Sequence, residues 1–230
     1  MSKESEQAIR PPSERFVLGL DLDGCVADFY GYMREVAAEW TGVPVEELTP
    51  DVSYGMPEWK LLPNEYPRLH RFAVTQRDLF KEMAPVPGAP QSIRRLGTEG
   101  IRIRIITHRL FIRWFHEIAV AQTVRWLDNH AVPYWDLCFM RDKEAVDAHL
   151  YVEDTPENIG RLVEQKRKVI VYGNSANATG LPESEYVLAR VTDWSEAEEL
   201  IREEYYSWLK QEGADLPPSV GVKAPWHDLL

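Results

Sequence analysis

Apolar positions in this chain gather into short runs separated by longer amphipathic stretches. Residues 15–21, RFVLGLD, are apolar on both faces, which predicts a central strand of a parallel sheet. Residues 101–107, IRIRIIT, alternate first and then turn apolar, as a strand nearer the sheet edge would. Runs at 135–140, 149–152 and 168–172 predict three more strands. Helical spacing covers about 111–130, with Phe111, Phe115 and Ile118 on one face and Trp126 two turns later, and about 194–210. A further helix starts after Asp154, where Thr155 suits the N-cap and Pro156 the first helical position. Strands alternating with helices predict an α/β fold, a parallel sheet with helices on both faces.

One interval breaks this rhythm. The stretch from Asp28 to Thr107 is far longer than one crossover helix needs, and a structureless loop of that length does not belong in a compact domain. Helical patterns at 31–40 and 64–83, an irregular aromatic-bearing piece at 42–62 and a Pro-rich return at 84–90 predict a small helical cap over 30–86, inserted after the first strand. The core is then 15–29 with 87–211. Residues 1–14 read as a flexible tail without the apolar segment of a secretory signal, and 212–230 as a tail or surface strap.

Composition narrows the function. A net charge of −11 disfavours binding of nucleic-acid polymers, which depends on cationic neutralisation of phosphates. No apolar run approaches the ~20 residues of a membrane span. Cys25 and Cys138 make neither a disulfide framework nor a zinc pattern, and read as free thiols of a reducing cytosol, so a cytoplasmic protein is expected. The sequon at Asn177 carries no weight without a secretory signal.

The residues with chemistry stand at predicted strand ends, where open parallel sheets bind ligands. Asp21-Leu22-Asp23-Gly24 ends the first strand, and Gly24 permits a turn that brings both carboxylates to one site. One can act as nucleophile and metal ligand, the other as proton donor. Thr107 ends the second strand, where its hydroxyl could bind a phosphoryl oxygen or serve the fold alone. Lys143 precedes the fourth strand, as a counter-charge to phosphate or as an ordinary surface lysine. Glu153 and Asp154 end that strand. A bound Mg²⁺ would explain two adjacent acids there, and so would a plain N-terminal helix cap.

Taken in order, these four elements resemble the haloacid dehalogenase (HAD) superfamily over nearly the whole folded chain. The resemblance implies a Rossmann-like core and a phosphatase in which Asp21 attacks phosphorus to form an aspartyl phosphate. Asp23 would protonate the leaving oxygen and then activate water. Thr107 and Lys143 would hold phosphoryl oxygens. Mg²⁺ would lie on the Asp21 carboxylate, the Asp23 carbonyl and Asp154, with Glu153 binding through water or orienting a ligand. Phosphotransferase or phosphomutase chemistry on the same site, and a non-catalytic module, are the alternatives.

A narrower resemblance rests on DLDGCVADF at 21–29, WLDNHAVPYWDL before Lys143 and HLYVED after it. These are similar to the 5'(3')-deoxyribonucleotidase family, cytosolic type C, which implies a nucleoside monophosphate substrate. By that likeness Phe29 would line the base pocket, unless it only anchors the cap hinge. Trp40, Tyr54 and Trp59 are cap aromatics that could stack on a base. The chain departs from the family where His108 and Arg109 follow Thr107. These join the expected phosphate-binding set, although Arg109 could grip a phosphate or a carboxylate, or pair cap with core. The departure leaves a sugar phosphate or another small phosphomonoester open as substrate.

Overall fold

The computed structural model describes residues 11–62 and 64–224. Six parallel strands form one sheet: β1 (Val17–Leu20), β2 (Arg102–Thr107), β3 (Asp136–Phe139), β4 (Leu150–Glu153), β5 (Val169–Tyr172) and β6 (Val187–Val191), in spatial order β3-β2-β1-β4-β5-β6. Between β1 and β2 come α1 (Phe29–Thr41), α2 (Tyr66–Gln76), α3 (Leu79–Glu82) and α4 (Ala89–Thr98). α5 (His116–Asn129) joins β2 to β3, α6 (Pro156–Glu164) joins β4 to β5, and α7 (Trp194–Glu212) follows β6.

The two-residue period of the strands sorts side chains to two faces. Leu150, Val152 and Ile170 enter the larger core with Ile93 of α4, Trp126 of α5 and Ile201 of α7. Tyr151, Val169 and Val171 enter a smaller one with Ile159 and Leu162 of α6. Gly19 is needed in the middle of β1, because a Cβ there would stand 2.9 Å from Ile106 Cδ1 and 3.0 Å from Tyr151 Cδ1. The alternation in β2 has a partner: Arg102 and Arg104 both donate to Asp136 on the edge strand β3.

The five expected strands are all present, and the structure adds β6, a half-buried edge strand with a weak apolar signal. The expected helix over 111–130 starts only at His116. Trp114 takes a left-handed φ of 66°, which a continuous helix cannot contain. The expected face is also wrong: Ile118 is exposed and Phe111 lies outside the helix, while Ala119, Gln122, Thr123 and Trp126 are buried. The pattern at 64–83 divides into α2 and α3 at Asp78, which has a φ of 48° and accepts a hydrogen bond from Gln122 Nε2 at 2.8 Å. Thr155 is the N-cap of α6 and Pro156 its first residue, but the Thr155 hydroxyl turns to Asp154 rather than to the helix. Among the described residues, no helix is long and apolar enough to cross a membrane.

The inserted stretch leaves and rejoins the core at one place. The Asp28 N–H donates to the Ala84 carbonyl and the Val86 N–H to the Val26 carbonyl, both at 2.8 Å. α4 then begins at Ala89, inside the expected return hinge.

A buried ionic network closes the far side. Glu99 receives both arms of Arg202 at 2.9 and 3.0 Å and the Gly221 N–H at 2.8 Å, while Arg202 and Arg95 also reach Glu198. Gly221 is thereby held against the end of α4, and the Ala224 N–H donates to the Thr98 carbonyl. Most of the expected N-terminal tail, 1–10, and the last part of the strap, 225–230, lie outside the described residues. Removing one member of a buried ion pair leaves an uncompensated charge. Arg202→Met is therefore expected to lower the unfolding free energy by about 3 kcal/mol, read as a lower urea midpoint at unchanged slope.

Candidate active site

The end of β1 shapes the site. The Asp21 N–H donates to the Val152 carbonyl, carrying the pairing with β4 one residue beyond the strand. The chain then closes a tight turn, in which the Val26 and Ala27 N–H groups donate to the Leu22 carbonyl and the Gly24 N–H to the Ala27 carbonyl. Gly24 has a φ of 90°, and a Cβ there would stand 2.3 Å from Asp154 Oδ2. The turn and Asp154 can come together only with glycine at this position.

Lys143 is buried between two acids. Its ammonium lies 2.7 Å from Asp21 Oδ1 and donates to Glu153 Oε2 at 2.6 Å. Burial works against the charged ammonium, but Asp21 and Glu153 outweigh it and raise the lysine's pKa. Burial pushes the Asp21 carboxyl well above the usual carboxylate range. Lys143 pulls it back, while Glu153, Asp154 and Asp23 add to the rise. The other oxygen of Glu153 accepts from the Thr155 N–H and from Asn158 Nδ2, each at 3.1 Å. Glu153, expected to meet the metal through water or to orient a ligand, is engaged at both oxygens and holds Lys143.

Among the described residues, the hydrogen-bond partners of Asp154 are neutral. It accepts from Asn174 Nδ2 at 2.9 Å and from the Thr155 hydroxyl at 3.2 Å, and its carbonyl accepts from Asn177 Nδ2 at 2.7 Å. Burial first, and then the charge of Glu153, push its carboxyl up to about 7. Asn177, the sequon residue, is fully buried, and its amide ties the Asp154 and Tyr172 carbonyls.

Asp21, Asp154 and the Cys25 sulfur present ligand atoms within 4.8 Å of one another. Two buried carboxylates facing each other suit a hard divalent cation such as Mg²⁺. Burial, followed by the charges of Asp154 and Asp21, pushes the Cys25 thiol well up. At the end of β2, Thr107 is buried, and its hydroxyl has no hydrogen-bond partner among the described residues. A buried hydroxyl left so calls for a partner from outside the chain, such as water, an ion or a ligand.

Asp21, Asp23, Lys143 and Asp154 floor a cleft of about 340 Å³, while Thr107 and Glu153 are not among the residues that line it. Its walls are aromatic. His70 of α2 stacks on Phe111 at 4.9 Å and on Tyr66 at 5.7 Å, and meets Phe29 edge-on at 5.5 Å. Burial holds the His70 imidazole down at about 4, which keeps it a neutral ring near pH 7. His108 lines the same cleft with its ring tilted against Phe111.

Asp21, Asp23, Phe29, His108, Lys143 and Asp154 all line this cleft. Arg109 does not. Of the partners expected for it, a phosphate, a carboxylate or a cap–core ion pair, its buried guanidinium forks onto a carboxylate, that of Asp23. Of the cap aromatics, Tyr54 lines the cleft. Trp40 packs on Phe72, and the wholly buried Trp59 donates to the Thr49 carbonyl. Sequence reasoning missed Tyr66, His70, Asn158 and Asn174, and placed Phe111 in a helix. The four-residue spacing of Tyr66 and His70 puts them on one helix face and is the signal that could have found them.

A family model described as "5' nucleotidase, deoxy (Pyrimidine), cytosolic type C protein" matches residues 15–205. A protein of Chlorobaculum tepidum, provisionally named 5'(3')-deoxyribonucleotidase, is 55% identical over 162 residues, which cover 70% of this chain and 80% of that relative. The mitochondrial 5'(3')-deoxyribonucleotidase of Mus musculus is 25% identical over 152 residues, 61% of this chain and 65% of its own. A HAD family hydrolase of Deinococcus radiodurans, solved with bound phosphate and sodium, has a TM-score of 0.53 at 11% identity, covering 83% of this chain and 96% of that one. A haloacid dehalogenase-like hydrolase of Streptococcus pneumoniae has a TM-score of 0.55 at 11% identity, covering 81% and 98%. At such identities the likeness is one of fold.

Groups that orient a ligating carboxylate set metal affinity almost as strongly as the ligand itself. With Asp154 as the expected Mg²⁺ ligand, Asn174→Ala removes the amide on its carboxylate and is expected to weaken Mg²⁺ binding by roughly 10- to 100-fold, measured by calorimetric titration, and to lower the thermal unfolding midpoint slightly through the lost cap on the Asn177 N–H.

Proposed function

Because the chain belongs to the deoxy (pyrimidine), cytosolic type C 5'-nucleotidase family, we propose that it is a Mg²⁺-dependent phosphomonoesterase acting on (deoxy)nucleoside monophosphates through an aspartyl phosphate at Asp21. The observation that carries this reading is the position of the Asp21 carboxylate. It lies 2.7 Å from a buried lysine, on the floor of a cleft walled by aromatic rings.

The chemistry follows from the groups present. An oxygen of Asp21 attacks phosphorus as the bond to the nucleoside oxygen breaks, and Asp23 gives that oxygen a proton. Asp23 then takes a proton from the water that attacks the aspartyl phosphate, releasing phosphate and restoring Asp21. Lys143 offsets repulsion between the carboxylate and the phosphate dianion. The Thr107 hydroxyl, which lacks a protein partner, donates to a phosphoryl oxygen. Mg²⁺, held by the carboxylates of Asp21 and Asp154 and the carbonyl of Asp23, would supply the remaining positive charge when bound.

The walls read as the nucleoside site. Phe29, Phe111 and the neutral His70 present flat apolar faces to a base, and His108 stands beside Phe111. Residues 30–86 serve as the cap that carries part of this wall. The volume of about 340 Å³ suits a small ligand rather than a polymer. A cytosolic location is supported by the family's description alone.

Phosphate release from a panel of phosphomonoesters tests the reading. Thymidylate is expected to be turned over well above ribose 5-phosphate, and chelation of divalent cations should stop both reactions. Asp21→Asn should lower turnover by roughly 10⁴-fold or more. Normal turnover by that variant would remove Asp21 as nucleophile, and equal rates on the two esters would remove the nucleoside assignment.

A further inference from the structure

Arg109 ranks with Trp59, Trp126 and Trp194 as the bulkiest side chains wholly buried among the described residues. An arginine hidden so completely needs every polar direction accounted for. Its Nε donates to Asp23 Oδ2 at 3.0 Å and its Nη2 to Asp23 Oδ1 at 2.6 Å. Its Nη1 donates to the Thr123 hydroxyl of α5 at 3.1 Å, and that hydroxyl donates onward to the Ala119 carbonyl at 2.7 Å. The guanidinium lies 4.6 Å above the ring of Phe80 in α3. Asp23, by contrast, lines the cleft, and 24% of its side chain is exposed.

Arg109 is therefore out of reach of a ligand in the cleft, and acts on the one cleft residue it touches. A two-pronged guanidinium–carboxylate pair fixes the plane of the carboxylate as well as its position. Each Asp23 oxygen keeps a further lone-pair direction for a proton exchanged in the cleft. The fork is itself held by Thr123 and Phe80, so α5 and the last helix of the insertion share in setting the Asp23 rotamer.

The geometry assigns Arg109 as the positioning residue that aims the Asp23 carboxyl at the leaving-group oxygen. This rests on the proposed role of Asp23 as proton donor. In that step the Asp21–phosphorus bond forms, the bond from phosphorus to the nucleoside oxygen breaks, and the Asp23 proton passes to that oxygen, giving a neutral alcohol.

The test compares kcat/KM for thymidylate, whose alcohol leaving group needs a proton, with that for 4-nitrophenyl phosphate, whose phenolate leaves without one. Asp23→Asn should raise the aryl-to-alkyl ratio by about 100-fold, the usual worth of a placed general acid. Arg109→Lys keeps the charge but loses the fork, and should raise the ratio by about 10-fold or more. Thr123→Val removes only the outer anchor and should move the ratio the same way by less. A purely structural role would lower both rates together and leave the ratio fixed. If Asp23→Asn shifts the ratio while Arg109→Lys and Thr123→Val do not, the positioning role is overturned. If Asp23→Asn leaves it fixed, the proton-donor reading fails first, and this inference with it.

Discussion

Repulsion among like charges governs this molecule's working end. Asp21, Asp23, Glu153 and Asp154 converge where β1 and β4 stop, and buried carboxylates cannot all ionise without opposite charge beside them. The chain answers with two buried cations. Lys143 serves Asp21 and Glu153 together, and Arg109 takes Asp23. Asp154 receives only amide and hydroxyl dipoles. The demand for a further positive charge is therefore greatest beside Asp154, which is where the proposed Mg²⁺ would sit.

The strand order makes this convergence possible. The chain leaves β1, builds β2 and β3 on one side, and returns to place β4 against β1 on the other. Asp21 and Asp154 thus become spatial neighbours across a long separation in sequence, and Lys143 enters on the passage from β3 to β4. The same ends open toward the inserted helices, so a polar floor from the sheet faces aromatic rings drawn partly from the insertion and partly from Phe29, His108 and Phe111. The floor and part of the wall thus come from different stretches of the chain.

That division explains what could be read in advance. The strand-end acids and Thr107 could be singled out because each ends an apolar run, which is a local property, and Lys143 because of its place in the ordered series. The parallel sheet was legible for the same reason, apart from β6, whose half-buried residues give little contrast. The partners of these groups were not legible. Nothing local says that Asn174 will brace Asp154, or that an arginine two residues past Thr107 will turn back to Asp23. Glu153 was expected beside Asp154 on a metal, and nothing local says that one of its oxygens accepts from Lys143 and the other from Thr155 and Asn158. Phe111 fitted a helical period, but the left-handed Trp114 ended that helix early and freed the ring for the cleft.

The seam at Asp28–Ala84 and Val26–Val86 has a consequence of its own. Because the chain departs and comes back through adjacent hydrogen-bonded segments, the sheet meets the same two ends whatever lies between them. Lengthening an insertion closed in this way costs little, since loop entropy grows only with the logarithm of its length. Substrate range can therefore diverge among descendants of this scaffold by exchange of that one segment, while the machinery that handles phosphorus is inherited intact.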